Sequence, residues 1–371
     1  MNRKNPFLTA GYEGPETFCD RERETAELIA SIENGRNTTL IAPRRYGKTG
    51  LIKNTLSKLS PEYDRIYIDI YATECLADFV NLFAESCVAS LETKREKIIT
   101  ALGRFFGSLR PTISPQSDGS VKWSFDIAEN MAKDSLSATF DFLRERERPV
   151  VIAIDEFQQV RNYPEGRVEA LLRSYIQFLP NVRFIFAGSA MHMMSEMFVM
   201  PRGAFYNSTD ILSLDVIDRS VYQSFAKKFF EDDGLSFSDE SFQYLYARFS
   251  GVTWYIQATM NRIWQTGNGL RSNKDVDSAI DTLIGNSNLV FMDLFRSQSD
   301  ASMAVLKAVA KSGYVSKPTG KEFLNTYSLG AASTVASVVS NLLQKELLYK
   351  TADGIIVYDK LFAQWLKRMA L

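Results

Sequence analysis

The chain predicts an α/β fold, a parallel sheet carrying a phosphate cradle, followed by a small helical domain and a C-terminal winged helix-turn-helix. Three observations predict it. An apolar strand, 38–41, breaks into a turn that ends Gly47-Lys48-Thr49 and runs straight into a helix. Two further apolar runs, 149–154 and 182–188, are too short for helices and end at Asp155 and Ser189, as buried strands of a parallel sheet do. Beyond residue 300, three helical patterns precede two short apolar runs, 347–350 and 355–358, that flank Asp353-Gly354.

Taken in order, a short N-terminal arm leads to a helix that begins near Phe18. Its apolar positions are Ala26, Leu28, Ile29 and Ile32, and it ends near Asn34-Gly35. Next come the strand 38–41, the cradle, a helix over 48–59 and a β-branched strand over 65–71. Strand alternating with helix implies a parallel sheet covered on both faces. Residues 76–146 read as mostly helical, with a hairpin inserted at 110–125 around Asp118-Gly119. The strands 149–154 and 182–189 follow, and a fifth short strand lies near 210–214.

From about Asp215 the pattern turns helical. One stripe carries Val221, Phe225, Phe229 and Phe230, another Phe242, Leu245, Tyr246 and Phe249. The polar stretch Ser297-Gln298-Ser299-Asp300 leads to helices over 301–312, 319–327 and 331–345, the two short strands and a last helix. The expected domains are therefore an α/β core over 1–214, a helical lid over 215–296 and a winged helix over 297–371.

Composition limits the alternatives. The chain has 371 residues, enough for two or three domains, and its net charge of −1 supplies no general field for nucleic acid or anionic membrane. No signal-peptide pattern and no span of about 18 apolar residues is evident, so the expected location is cytoplasmic, without membrane contact. Cys19, Cys75 and Cys87 lack metal-ligand spacing and read as reduced, packed thiols. His192 is the only histidine, which excludes His-rich metal sites and disfavours a Ser-His-Asp hydrolase.

The cradle spans Ala42, Pro43, Arg44, Arg45, Tyr46, Gly47, Lys48, Thr49 and Gly50. Backbone N–H groups at a helix start favour an anion. Lys48 can reach terminal phosphates, and the Thr49 hydroxyl can ligate Mg²⁺. The expected ligands are thus ATP or ADP with Mg²⁺. Asp155 is placed to hold the metal, directly or through water, beside Thr49, and Glu156 to polarise the water that attacks the γ-phosphate. Ser189 reads equally as a hydrogen-bond partner for phosphate or water and as a turn residue. Arg44 and Arg45 can neutralise phosphate charge or simply face solvent. Arg202, in its loop, is a weak candidate for a charge-stabilising finger on a neighbouring subunit.

Together, Pro43-Arg44-Arg45-Tyr46-Gly47-Lys48-Thr49, Ile154-Asp155-Glu156-Phe157-Gln158, Ala187-Gly188-Ser189 and Gly251-Val252-Thr253-Trp254-Tyr255 resemble the archaeal-type ATPases of prokaryotes. These belong to the signal-transducing, STAND-like branch of the AAA+ superfamily of P-loop NTPases, related in layout to origin-recognition ATPases. The resemblance covers nearly the whole chain. It implies Walker A roles for Lys48 and Thr49, Walker B roles for Asp155 and Glu156, sensor 1 at Ser189, and the sheet order of AAA+ cores. Two positions depart from the pattern. Ala42 stands where the first Walker A glycine is usual, and Gly251-Val252-Thr253 stands where a Gly-x-Pro element is common in the lid.

In the expected recognition helix, Val335, Val338, Val339, Leu342 and Leu343 face inward, leaving Ser333, Thr334, Ser337, Ser340, Asn341 and Gln344 outward. Residues 299–371 carry four more basic than acidic side chains, a mild surplus for phosphate attraction. DNA and a protein partner both stay open. The leading expectation is a slow, Mg²⁺-dependent ATPase that works as a nucleotide-driven switch with Glu156 and Lys48 as its catalytic residues. A nonenzymatic nucleotide-stabilised DNA-binding regulator and an oligomeric remodelling motor are the alternatives, and the oligomeric state is left open.

Overall fold

The computed structural model describes residues 4–91, 112–115, 121–124 and 127–369. The chain divides into two compact units, residues 10–217 in one and residues up to Thr9 with 218–371 in the other.

The first unit is built on five parallel strands. In chain order these are β1 (Thr38–Ile41), β2 (Asp64–Asp69), β5 (Val150–Asp155), β6 (Val182–Gly188) and β7 (Asp210–Ser213). They lie side by side in the order β2-β5-β6-β1-β7. The remaining two strands, β3 (Thr112–Pro115) and β4 (Val121–Ser124), form an antiparallel pair where a hairpin is predicted. The Asp118-Gly119 turn and the predicted helical stretch over 92–111 lie outside the described residues.

Strand alternation sorts the core into two faces. Val150, Ile152 and Ile154 of β5 join Ile66, Ile68, Phe184 and Phe186 in one apolar cluster, completed by helix α3 (Leu76–Leu91) and the helix Ala132–Arg144. Val151 and Ala153 point the other way, toward Leu28 and Ile32 of α1 (Glu22–Glu33) and Leu51, Ile52 and Leu56 of α2 (Lys48–Lys58). All six residues of β5 are buried, which explains why its sequence is a continuous aliphatic run rather than an alternating one. In α1 the buried face is Glu24, Thr25, Leu28 and Ile32, while Ala26 is exposed. The predicted stripe is corrected here because the buried Arg21–Glu24 ion pair, not an apolar residue, fills the first turn.

The second unit is helical apart from short strands. Helices Arg219–Asp232, Asp239–Arg248, Thr253–Gln265, Asn273–Asn286 and Asn288–Arg296 come first. Then follow Asp300–Ser312, Lys321–Thr326 and Ala332–Gln344, an antiparallel pair of strands, Leu348–Lys350 and Ile355–Val357, and the helix Lys360–Lys367. Asp218 caps the first of these helices by accepting from the N–H groups of Ser220 and Val221. Its buried residues are Tyr222, Ala226 and Phe230; Phe230 is on the predicted stripe, whereas Val221 is exposed and Phe225 and Phe229 are half-buried, with Tyr222 and Ala226 buried in their place. Both sets recur at four-residue spacing, so packing decides between them, and Phe230 meets Phe7, Phe237 and Trp264.

Phe7 itself is fully buried in this unit. The arm that carries it is held by side chain to main chain bonds, Asn261 Nδ2 to Phe7 O at 2.7 Å and Trp254 Nε1 to Thr9 O at 2.9 Å. Elsewhere in the unit, Trp365 packs against Phe291, Phe295 and Phe362, and its Nε1 donates to Asn288 Oδ1 at 2.8 Å. Among the described residues no helix is long and apolar enough to cross a membrane. Cys19, Cys75 and Cys87 are free thiols, and Cys19 and Cys87 are buried.

Candidate functional site

The cradle follows β1, whose two neighbours are β6 and β7, and Ile41 pairs with Gly188 at the end of β6. Parallel packing of β1, β6 and β5 therefore sets the ends of three strands side by side. Gly47, with φ of +92°, sits directly before α2 and turns the chain into it. Arg45 also has positive φ, +72°, a conformation that side chains other than glycine's rarely adopt. Ala42 is buried, and Pro43, Tyr46, Thr49 and Gly50 are half-buried. Lys48 is buried too, and its ammonium donates to Ala42 O at 2.9 Å and Pro43 O at 3.2 Å, so it lies across the mouth of the turn. A Cβ at Gly50 would come within 3.1 Å of the Phe18 ring, which packs against the start of α2.

Asp155 is only 2% exposed, and its carboxylate is fully engaged. Thr49 Oγ1 donates to Oδ2 at 2.6 Å, the Tyr67 hydroxyl donates to the same oxygen at 3.0 Å, and the Glu156 N–H donates to Oδ1 at 3.0 Å. Burial, and then the charge of Asp155, holds the Tyr67 phenol far above its ordinary range, so it is a donor at any physiological pH. Asp69 pairs in register with Asp155, and burial, opposed by the Tyr71 N–H, raises its carboxyl above the ordinary value.

Glu156 follows with φ of +55° at the start of the 3₁₀ turn Phe157–Asn162. Ser189 Oγ donates to Glu156 Oε2 at 2.8 Å, and Gln158 Nε2 donates to the same oxygen. Arg44 Nε reaches Ser189 Oγ at 3.5 Å, extending the chain of contacts into the cradle. Gln158 Oε1 is buried without a hydrogen-bond partner and lies against Gly188, where an added Cβ would meet it at 2.4 Å. Glycine at 188 therefore makes room for the amide that holds Glu156.

Thr49, Asp155, Glu156 and Ser189 are thus brought into one hydrogen-bonded cluster with Lys48 next to Thr49 in the chain, and Arg44 touches it through Ser189. Arg45 is exposed, as is Arg202 in its loop after the helix Met191–Phe198. Gly251 has φ of +75° and stands between two helices of the second unit. Tyr255 is buried there, its hydroxyl accepting from Lys360 N–H at 2.9 Å, and Trp254 binds the N-terminal arm, so these residues serve packing.

Sequence reading missed three contributors. Tyr67 and Gln158 reach the site only through strand register and a 3₁₀ turn. Arg21, buried, donates to Glu24 Oε1 at 2.9 Å, Tyr46 O at 3.2 Å and Asp215 O at 2.7 Å, tying the cradle to α1 and to the segment after β7. The Arg-x-x-Glu spacing at the start of α1 is the one signal that could have marked it.

A hydroxyl and a carboxylate in contact, Thr49 and Asp155, are hard oxygen donors that fit Mg²⁺, an ion that takes one or two protein ligands and leaves the rest to water and phosphate. Among the described residues no three His, Cys, Asp or Glu side chains cluster as a metal cage. The arrangement can bind a polyphosphate at the helix start and present a carboxylate, Glu156, to a water beside it.

Residues 18–258 match the family model described as "ATPase domain predominantly from Archaea", and residues 289–368 match the one described as "Probable winged helix domain". Comparison with curated proteins finds no match. Among solved structures, a Walker-type ATPase of Pyrococcus abyssi superposes with a TM-score of 0.68 at 16% identity, covering 98% of this chain and 99% of its own. The ORC2 protein of Aeropyrum pernix, in ADPNP–ADP complexes, gives 0.61 at 14% identity over 98% and 96% of the two chains. The ORC1 protein of the same organism, in complex with DNA, gives 0.55 at 14% identity over 95% and 93%. At these identities the likeness establishes the fold, a P-loop ATPase core with a C-terminal winged helix.

Proposed function

From the premise that this chain belongs to the family of ATPase domains found predominantly in Archaea, we propose a slow, Mg²⁺-dependent ATPase that acts as a nucleotide-driven switch. The observation that carries the reading is the 2.6 Å bond from Thr49 Oγ1 to Asp155 Oδ2. It joins the phosphate cradle to the acidic strand end across 106 residues of sequence, in the pairing that a Mg–nucleotide site requires.

Lys48 binds the terminal phosphates, and the N–H groups of Gly47 to Gly50 at the start of α2 cradle them. Thr49 would hold the metal through its free lone pairs and Asp155 directly or through water, and the metal when bound would offset phosphate charge. Glu156 orients the attacking water and takes its proton, and Ser189 and Gln158 set the direction of its carboxylate. Arg44 and Arg45 add positive charge at the mouth of the cradle. The three-part division 1–214, 215–296 and 297–371 belongs to this proposal: core, helical lid and output domain. The winged helix passes the nucleotide state to a partner. Duplex DNA is the first to test, because ORC1 of A. pernix, a protein of this fold, is described in complex with DNA.

Phosphate release and ATP binding, measured with and without duplex DNA on the wild type, Lys48→Ala and Glu156→Gln, test the proposal. The expected outcome is loss of nucleotide binding in Lys48→Ala, and retained binding with release reduced at least about 100-fold in Glu156→Gln, the lower range for removal of a general base. Hydrolysis by Glu156→Gln at the wild-type rate overturns the role of Glu156. Retained binding with no release by the wild type under any condition replaces the switch enzyme with a nonenzymatic regulator.

A further inference from the structure

The geometry points to Tyr67 as a positioning residue that fixes Asp155, and through it Thr49, for the divalent cation of the nucleotide site. The inference rests on the Mg–ATP reading above and adds to it a residue from a different strand.

Tyr67 lies near the end of β2, paired in register with Ala153 of β5. Alternation along β2 sends Ile66 and Ile68 to one apolar face and Tyr67 to the other, where it packs with the cluster under α2. From there its hydroxyl meets Asp155 Oδ2 at 3.0 Å, the oxygen that also accepts from Thr49 at 2.6 Å. The ring is held from α2 as well, with Lys53 Nζ 4.8 Å from its centroid.

Two donors on one carboxylate oxygen fix the plane of that carboxylate. The other oxygen is fixed by the Glu156 N–H. With the Thr49 hydroxyl donating its hydrogen bond to Oδ2, the lone pairs of its own oxygen are left to face a cation. Rotation of Asp155 would break that alignment, and Tyr67, reaching it from β2, is a donor that resists the rotation. Nothing about the hydroxyl is needed for packing. A phenylalanine keeps the ring, its apolar neighbours and the contact with Lys53, and loses the hydroxyl's interactions with Asp155 and Thr49.

The test is calorimetric binding of a non-hydrolysable ATP analogue to the full-length wild type, Tyr67→Phe and Asp155→Asn, in EDTA and across a Mg²⁺ titration, with thermal melting of each protein. Tyr67→Phe is expected to bind the analogue in EDTA as the wild type does, to melt within about 5 °C of it, and to need about tenfold more Mg²⁺ for the metal-dependent gain in affinity, the effect of one hydrogen bond to a charged group. Asp155→Asn is expected to lose that gain. A wild-type Mg²⁺ requirement in Tyr67→Phe, beside its loss in Asp155→Asn, overturns the assignment of Tyr67 alone. An unchanged gain in Asp155→Asn overturns the metal-site reading and the inference with it. Parallel loss of melting temperature and EDTA binding in Tyr67→Phe makes the hydroxyl structural and also overturns the inference.

Discussion

Gly188 shows how much a single residue can carry at this site. It looks like a strand-ending glycine, yet its missing side chain is the space occupied by Gln158 Oε1 and Met194 Sδ, each 2.4 Å from where a Cβ would sit. Gly188→Ala is therefore expected to push Gln158 off Glu156. It should cost about 1–3 kcal/mol of stability by overpacking. Phosphate release should fall more than ATP affinity, because the cradle itself is untouched. Steady-state kinetics beside direct binding measurements check this, and an unchanged release rate would remove Gln158 from the account of how Glu156 is held. Tyr67 belongs to the same scale, since its role depends on one hydroxyl.

At the scale of elements, charge and aromatic packing are used to join segments distant in sequence. The buried Arg21 guanidinium binds α1, the cradle carbonyl of Tyr46 and the carbonyl of Asp215 at once. A buried cation of this kind is tolerable because its charge is paired with Glu24 and its Nη2 donates to two carbonyls. In the second unit the N-terminal arm inserts Phe7 among Phe229, Phe230 and Trp264. Truncation by Phe7→Ala is expected to destabilise that unit by about 3–5 kcal/mol, the usual cost of removing a fully buried phenylalanine. Denaturant unfolding followed by tryptophan fluorescence measures it through Trp264. A loss under about 1 kcal/mol would mean that the arm covers the helices without belonging to their core.

For the whole molecule, charge limits what the output domain can do. The chain is nearly neutral, and the outward face of Ala332–Gln344 carries serine, threonine, asparagine and glutamine without lysine or arginine. Those side chains are exposed, as Lys317, Lys321, Lys345 and Lys350 are around them. Duplex DNA bound by this domain should therefore rest on few phosphate contacts. The expected slope of log affinity against log salt is no steeper than about −4. Fluorescence anisotropy across a salt series checks it. A slope near about −8 would require basic residues outside the winged helix.

The sequence by itself determined the kind of machine: the Gly47-Lys48-Thr49 turn between strand and helix, the aliphatic run into Asp155-Glu156, and the winged-helix pattern after residue 300 are local signals that survive any packing. The apolar runs also located β5 and β6 to within a residue, because a strand buried on both faces reads as a near-continuous hydrophobic run. Only the tertiary structure decided which side chains complete the site. Tyr67 sits 88 residues from the carboxylate it binds, and strand register brings it there. Packing likewise chose Tyr222 and Ala226 over Val221, Phe225 and Phe229 and drew Phe7 from the N-terminus into a helical core. Periodicity states which faces can be buried, whereas the partner that buries them comes from elsewhere in the chain and leaves no mark on local spacing.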